Sequence, residues 1–141
     1  MSLPVLNTPN YEMEIPSTGE KITYRPFLVK EQKILMMAQE SSDESNMIRA
    51  IGDIVKSCTF GKIDRPHDMP TFDLEYMFLM IRAKSVGSDI ELKVTCPDDG
   101  ETVVDHKINL DDIKVQHTEG HNNQVMLTDD IGVEMRYPTM D

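Results

Sequence analysis

The chain has no tryptophan, only two cysteines, and 14 Lys and Arg against 25 Asp and Glu, for a formal net charge of −11. The shortage of cations argues against binding to phosphate backbones or anionic membrane surfaces. Cys58 and Cys96 are too few and too far apart for a disulfide framework and are expected to be free thiols in a reducing cytoplasm. No apolar run reaches transmembrane length. The N-terminus MSLPVLNTPN has neither a basic region nor an apolar stretch, so no signal peptide is expected. The seven glycines are scattered, without a phosphate-cradling loop. Neither a nucleophile elbow nor a cysteine beside a positioned base is present. The carboxylates lie in turns and polar faces, and nothing selects a pair with opposed environments for acid–base work. The expectation is a protein that is not an enzyme, with no cofactor, no catalytic residue and no metal ligand.

What is present suits one domain, 1–141, with a core of its own: 141 residues, 39% of them hydrophobic. Eleven methionines imply an adaptable core or contact surface. The most apolar stretch, Thr71–Gly87 (TFDLEYMFLMIRAKSVG), predicts a helix. Thr71 is its candidate N-cap. Asp73 and Glu75 in the first turn, with Arg82 and Lys84 in the last, suit the helix dipole, and Gly87 is placed to stop it. Leu74, Met77, Phe78 and Ile81 form one face. Phe72, Tyr76, Leu79, Met80 and Ala83 cover much of the rest, so the helix is either wholly core or half of an interface. Tyr76, Leu79, Met80, Arg82 and Lys84 are therefore the candidate partner-contact residues.

Around this helix the pattern is grouped. Residues 1–10 read as an irregular arm. YEMEI and KITYR alternate around PSTGE, predicting a β-hairpin over 10–26. Helical spacing fills 27–87. Leu28, Ile34, Leu35, Met37 and Ala38 give a first helix, with Lys30, Glu31, Gln32 and Lys33 on its polar side. Asp43 or Ser42 caps a second, whose stripe is Met47, Ile48, Ile51, Ile54, Val55 and Cys58. The Ile48/Ile51/Val55 side of that stripe is expected to meet the Leu74/Met77/Phe78/Ile81 face. From Asp89 the rhythm switches to period two, and 88–138 reads as an antiparallel β-meander. It comprises a hairpin turning at CPDDG, a short strand near Leu110 and Ile113–Val115, and a final hairpin around Thr128-Asp129-Asp130. The fold class is α+β, because strands and helices are grouped rather than alternating.

Two constellations bear on metal chemistry. CPDDGE at 96–101 is similar to half of a zinc ribbon, but Asp99 stands where the second thiolate belongs. A zinc-ribbon-like binding or regulatory module is the alternative reading. His117 and His121 have i, i+4 spacing, yet HTEGHNN has no helical apolar face and reads as a solvated loop.

Four segments together, PSTGEKITYRPFLVKEQKILMMAQES (16–41), IVKSCTFGKID (54–64), FDLEYMFLMIRAKSVG (72–87) and IGVEMRYP (131–138), resemble the baseplate hub assembly proteins of T-even-type contractile-tailed bacteriophages. The similarity runs in order from about Tyr11 to Pro138, and many members of that family run on past the point where this chain ends. It implies a late, non-enzymatic hub component or assembly chaperone acting through protein–protein contacts. The implied partners are other hub and tail proteins. The implied location is the host cytoplasm during assembly, or the virion tail as a structural protein. Self-association stays open.

Overall fold

A computed structural model of the chain describes residues 7–140. It has the expected α+β order of a hairpin, three helices and further antiparallel strand pairs. Of the expected N-terminal arm, residues 7–10 form no regular element, and the first six residues lie outside the described part.

Strand β1 (Tyr11–Glu14) pairs antiparallel with β2 (Lys21–Tyr24). The two-residue side-chain period sorts this hairpin. Met13 faces Ile22 and both are buried, while Glu14 faces Lys21 in solvent. The chain then passes through Arg25-Pro26 into α1 (Val29–Glu40). The apolar face expected on α1 is only partly used. Ala38 is buried and Leu35 packs on the core, but Ile34 is 40% and Met37 61% exposed. The residue that α1 buries most deeply is Glu31, at 1% exposure. Its reason is a cation, Arg25, that is also buried.

Helix α2 (Glu44–Cys58) starts on Asp43, whose carboxylate accepts the Ser45 N–H at 3.0 Å. Ile54, Val55 and Cys58 are completely buried, and the apolar arc extends to Ala50 and Gly52. Helix α3 (Thr71–Val86) lies against it, with Leu74, Met77 and Ile81 at 0% exposure. Helices α2 and α3 do pack together, but of the expected Ile48, Ile51 and Val55 only Val55 is fully buried. Ile54 joins it at the centre, Ile51 is at the margin and Ile48 is half-buried, because the buried arc is turned toward Ile54 and Cys58. Each fully buried aliphatic side chain here contributes about 1.5–3 kcal/mol. Phe78 sits at the edge of this core against Phe27, their ring centroids 6.0 Å apart.

The start of α3 differs from expectation. Thr71 is the first helical residue and not the cap. Its N–H donates to the Pro138 carbonyl at 3.0 Å, and its hydroxyl donates to the same oxygen at 3.2 Å. Asp73 does more than complement the dipole. It is buried and accepts the Ser17 N–H at 2.9 Å as well as the Ser17 hydroxyl, which locks the β1–β2 turn onto α3. Gly87 does end the helix, with φ +105° and an extended ψ that leads into the next strand.

Beyond α3, β3 (Asp89–Thr95) pairs with β4 (Val103–Asn109), and β5 (Gln124–Met126) pairs with β6 (Gly132–Glu134). Among the described residues each strand bonds only within its own hairpin, so this half consists of two separate ribbons. The short strand expected near Leu110 and Ile113–Val115 is absent, and Leu110–Asp112 is a 3-10 turn. The Asn109 side chain accepts the Asp111 N–H at 2.8 Å. Such local side-chain bonds draw backbone donors away from a strand ladder. The last described residues are tied down, since Thr139 bridges to Pro70 and Met140 packs against the core.

Candidate partner-contact surface

Three of the perturbed ionisable groups, Arg25, Glu31 and Cys58, gather at a buried clasp. The Arg25 guanidinium donates to Glu31 Oε1 at 2.9 Å, to Ser57 Oγ at 3.0 Å and to the Pro26 carbonyl at 3.0 Å. Glu31 also accepts the Ser57 hydroxyl at 2.8 Å and the Leu28 N–H at 2.8 Å. The backbone of Arg25 donates to the Cys58 carbonyl at 2.9 Å. Hairpin, α1 and α2 thus meet at one ion pair. Burial pushes the Glu31 carboxyl up, but the hydrogen bonds from Arg25, Ser57 and Leu28 outweigh it and hold it at about 2. The hydrogen bond to Glu31 raises Arg25 above its ordinary value. Burial pushes the Cys58 thiol up to about 11, the environment of an inert core cysteine. Every charge in this cluster is paired, and its geometry is that of a fold clasp.

The five candidate contact residues on α3 are treated unequally. Tyr76, Leu79, Met80 and Arg82 are half-buried, and Met80 packs against the core. Arg82 Nη1 is buried without a hydrogen-bond partner among the described residues. Lys84 is the most exposed of the five. Its ammonium lies 3.4 Å from Asp111 and 5.7 Å above the Tyr11 ring.

Further exposed apolar side chains lie on each of the two ribbons. In β3–β4 the register puts Ile90 opposite Ile108, Leu92 opposite His106 and Val94 opposite Val104, all on one face. Leu92, Val94 and Val104 are 42%, 47% and 56% exposed. The other face pairs Glu91 with Lys107 and Lys93 with Asp105, and the Lys107 ammonium reaches Asp89 at 3.0 Å. Opposite charges facing across the strands favour this register. In β5–β6, Val125 faces Val133, and Leu127, Ile131 and Met135 extend the exposed apolar set. Tyr137 anchors that ribbon, edge-on to Phe72 of α3 at 5.0 Å and hydrogen-bonded to His121 at 3.0 Å.

The CPDDGE turn has its own account. Cys96 N–H donates to the Thr102 carbonyl at 2.7 Å, and Asp99 accepts the N–H groups of Glu101 and Thr102 and the Thr102 hydroxyl. Those hydrogen bonds from Thr102 and Glu101 lower the Asp99 carboxyl below its ordinary value. Asp99 therefore serves as the turn's internal acceptor. Among the described residues no three His, Cys, Asp or Glu side chains converge as a metal site, and Cys58 lies in the core clasp. No described helix is long and apolar enough to cross a membrane.

The helical core thus carries two ribbons on which several large apolar side chains are exposed. The chain matches the family described as T4 bacteriophage base plate protein over residues 8–141, and it belongs to that family. No curated protein and no solved structure matches it. It is a phage baseplate protein.

Proposed function

We propose that this baseplate protein is a component of the central hub, or a factor in the hub's assembly, and that it works without catalysis through protein–protein contacts. The observation that carries this reading is the uncovered apolar surface of the two ribbons, joined to the baseplate family. Two-stranded hairpins are marginal in water, and exposed apolar patches of this kind mark interaction sites. The groups with shifted ionisation support the non-catalytic reading. Glu31 and Arg25 are buried and paired with each other, Cys58 and Tyr24 are raised by burial in the core, and Asp99 is spent on its own turn. Tyr76, Leu79, Met80, Arg82 and Lys84 are a second contact set, on α3. Assembly takes place in the host cytoplasm, and the product is the tail baseplate.

The test is a phage lacking this gene, complemented with tagged chain. Hub proteins are expected to co-purify with the tag, and tails lacking the chain are expected to show incomplete baseplates by electron microscopy. Normal tails in its absence refute the assembly role. Leu79→Asp and Arg82→Glu then test the α3 set, with complementation as the readout.

A further inference from the structure

Charge is distributed unevenly along this chain. Residues 88–141 hold 13 of the 25 Asp and Glu but only four of the 14 Lys and Arg, namely Lys93, Lys107, Lys114 and Arg136. Nine of the eleven excess negative charges thus belong to the ribbon half, and the hairpin-and-helix half is near neutral. Within β3–β4 the two lysines are already committed to the polar face, opposite Glu91 and Asp105. At the tip, neither Asp98 nor Glu101 forms an ion pair among the described residues, and Asp99 is occupied by the turn. The other face is the apolar one, Ile90, Leu92, Val94, Val104, His106 and Ile108. From the Ile90–Ile108 pair to the Val94–Val104 pair this face runs four residues along the strand, about 14 Å.

We infer that the apolar face of β3–β4 docks on a different protein, one that presents an apolar strip bordered by Lys and Arg. This rests on the contact-driven reading above and names the surface and partner chemistry for it. The occupant follows from charge. A second copy would bring one acidic ribbon half against another, and like charges brought together across an interface oppose association. A basic border relieves the repulsion among the ribbon's own carboxylates, and covering the face removes Leu92, Val94 and Val104 from water. Burial of those side chains supplies the affinity, and the charges supply orientation and choice of partner.

The experiment uses full-length tagged chain expressed during infection, with baseplates isolated by sedimentation. Three forms are compared: wild type, Asp98→Lys/Glu101→Lys, and Leu92→Asp/Val94→Asp. Asp99 is left in place so that the turn keeps its acceptor, and equal melting temperatures for the wild type and the tip variant check the fold. A surface reversal on the helical side, Glu40→Lys/Glu44→Lys, is the control. The tip variant is expected to associate at least about tenfold less than wild type, and wild-type association is expected to fall between about 0.1 M and about 0.5 M NaCl. Zero-length carboxylate–amine cross-linking of the wild type is expected to join Asp98 or Glu101 to lysines of another tail protein. Cross-links to a second copy of this chain overturn the inference, as does full association of both ribbon variants. If the wild type does not associate with baseplates at all, the assembly reading fails and this inference falls with it. If the wild type associates and the ribbon variants do so equally well, only this inference fails.

Discussion

Replacing Arg25 with Met removes one half of the buried clasp while keeping most of its volume. Glu31 is then left at 1% exposure with the Ser57 hydroxyl and the Leu28 N–H as hydrogen-bond donors and the exposed Lys30 ammonium, 3.4 Å away, as its remaining cation. In the wild type the carboxyl is held at about 2, against an ordinary 4.5. That separation corresponds to roughly 3 kcal/mol of stability at pH 7. Breaking one side of a buried pair independently suggests about 3–5 kcal/mol. Because the folded value lies below the unfolded one, the contribution is complete above about pH 4.5 and is lost as pH falls toward 2. The variant's deficit should therefore shrink by at least about 2 kcal/mol between about pH 7 and pH 3, because the wild type loses that much of the Glu31 contribution while the variant's carboxyl, no longer held down by Arg25, has none to lose. Arg25→Met/Glu31→Gln removes both charges yet keeps an oxygen for Leu28 and Ser57, so most of the loss should be recovered. Urea unfolding followed by far-ultraviolet circular dichroism measures all three forms. A deficit for Arg25→Met below about 1 kcal/mol, or one of the same size at both pH values, would refute the reasoning.

Other expectations follow from single sites. A Cβ on Gly52 would stand 2.6 Å from the His67 ring, so Gly52→Ala should be neutral or destabilising alone. In a His67→Ala background the same change should stabilise by up to about 1 kcal/mol through helix propensity, which a double-mutant cycle by urea unfolding reads directly. Ile54→Ala, at a site with 0% exposure, should cost about 2–5 kcal/mol by the same assay. A disulfide thiol reagent should label one cysteine per native chain, the partly exposed Cys96, and two after denaturation. Burial raises the Cys58 thiol to about 11, and rapid native labelling of Cys58 would contradict its burial.

The alternating and helical rhythms place the first hairpin, the three helices and the β3–β4 hairpin nearly where they occur, because those patterns reflect burial on one face of a local element. The Cys58 stripe and the apolar run from Leu74 to Ile81 announce the α2–α3 core for the same reason. The sequence also carries the uneven charge and, in the four family-like segments, the baseplate affiliation. Tertiary structure alone decided the rest. Periodicity assigns Glu31 to a solvated face, and only the approach of Arg25 and Ser57 from other elements makes its burial favourable. Thr71 looks like a cap, yet the returning chain end at Pro138 takes its donors. Strand patterns in the C-terminal half imply a covered face without saying what covers it. In this chain Ile90 and Ile108, at the end of the ribbon nearest α3, are half-buried, while Leu92, Val94 and Val104 further out stay exposed, because no described element packs over that part of the face.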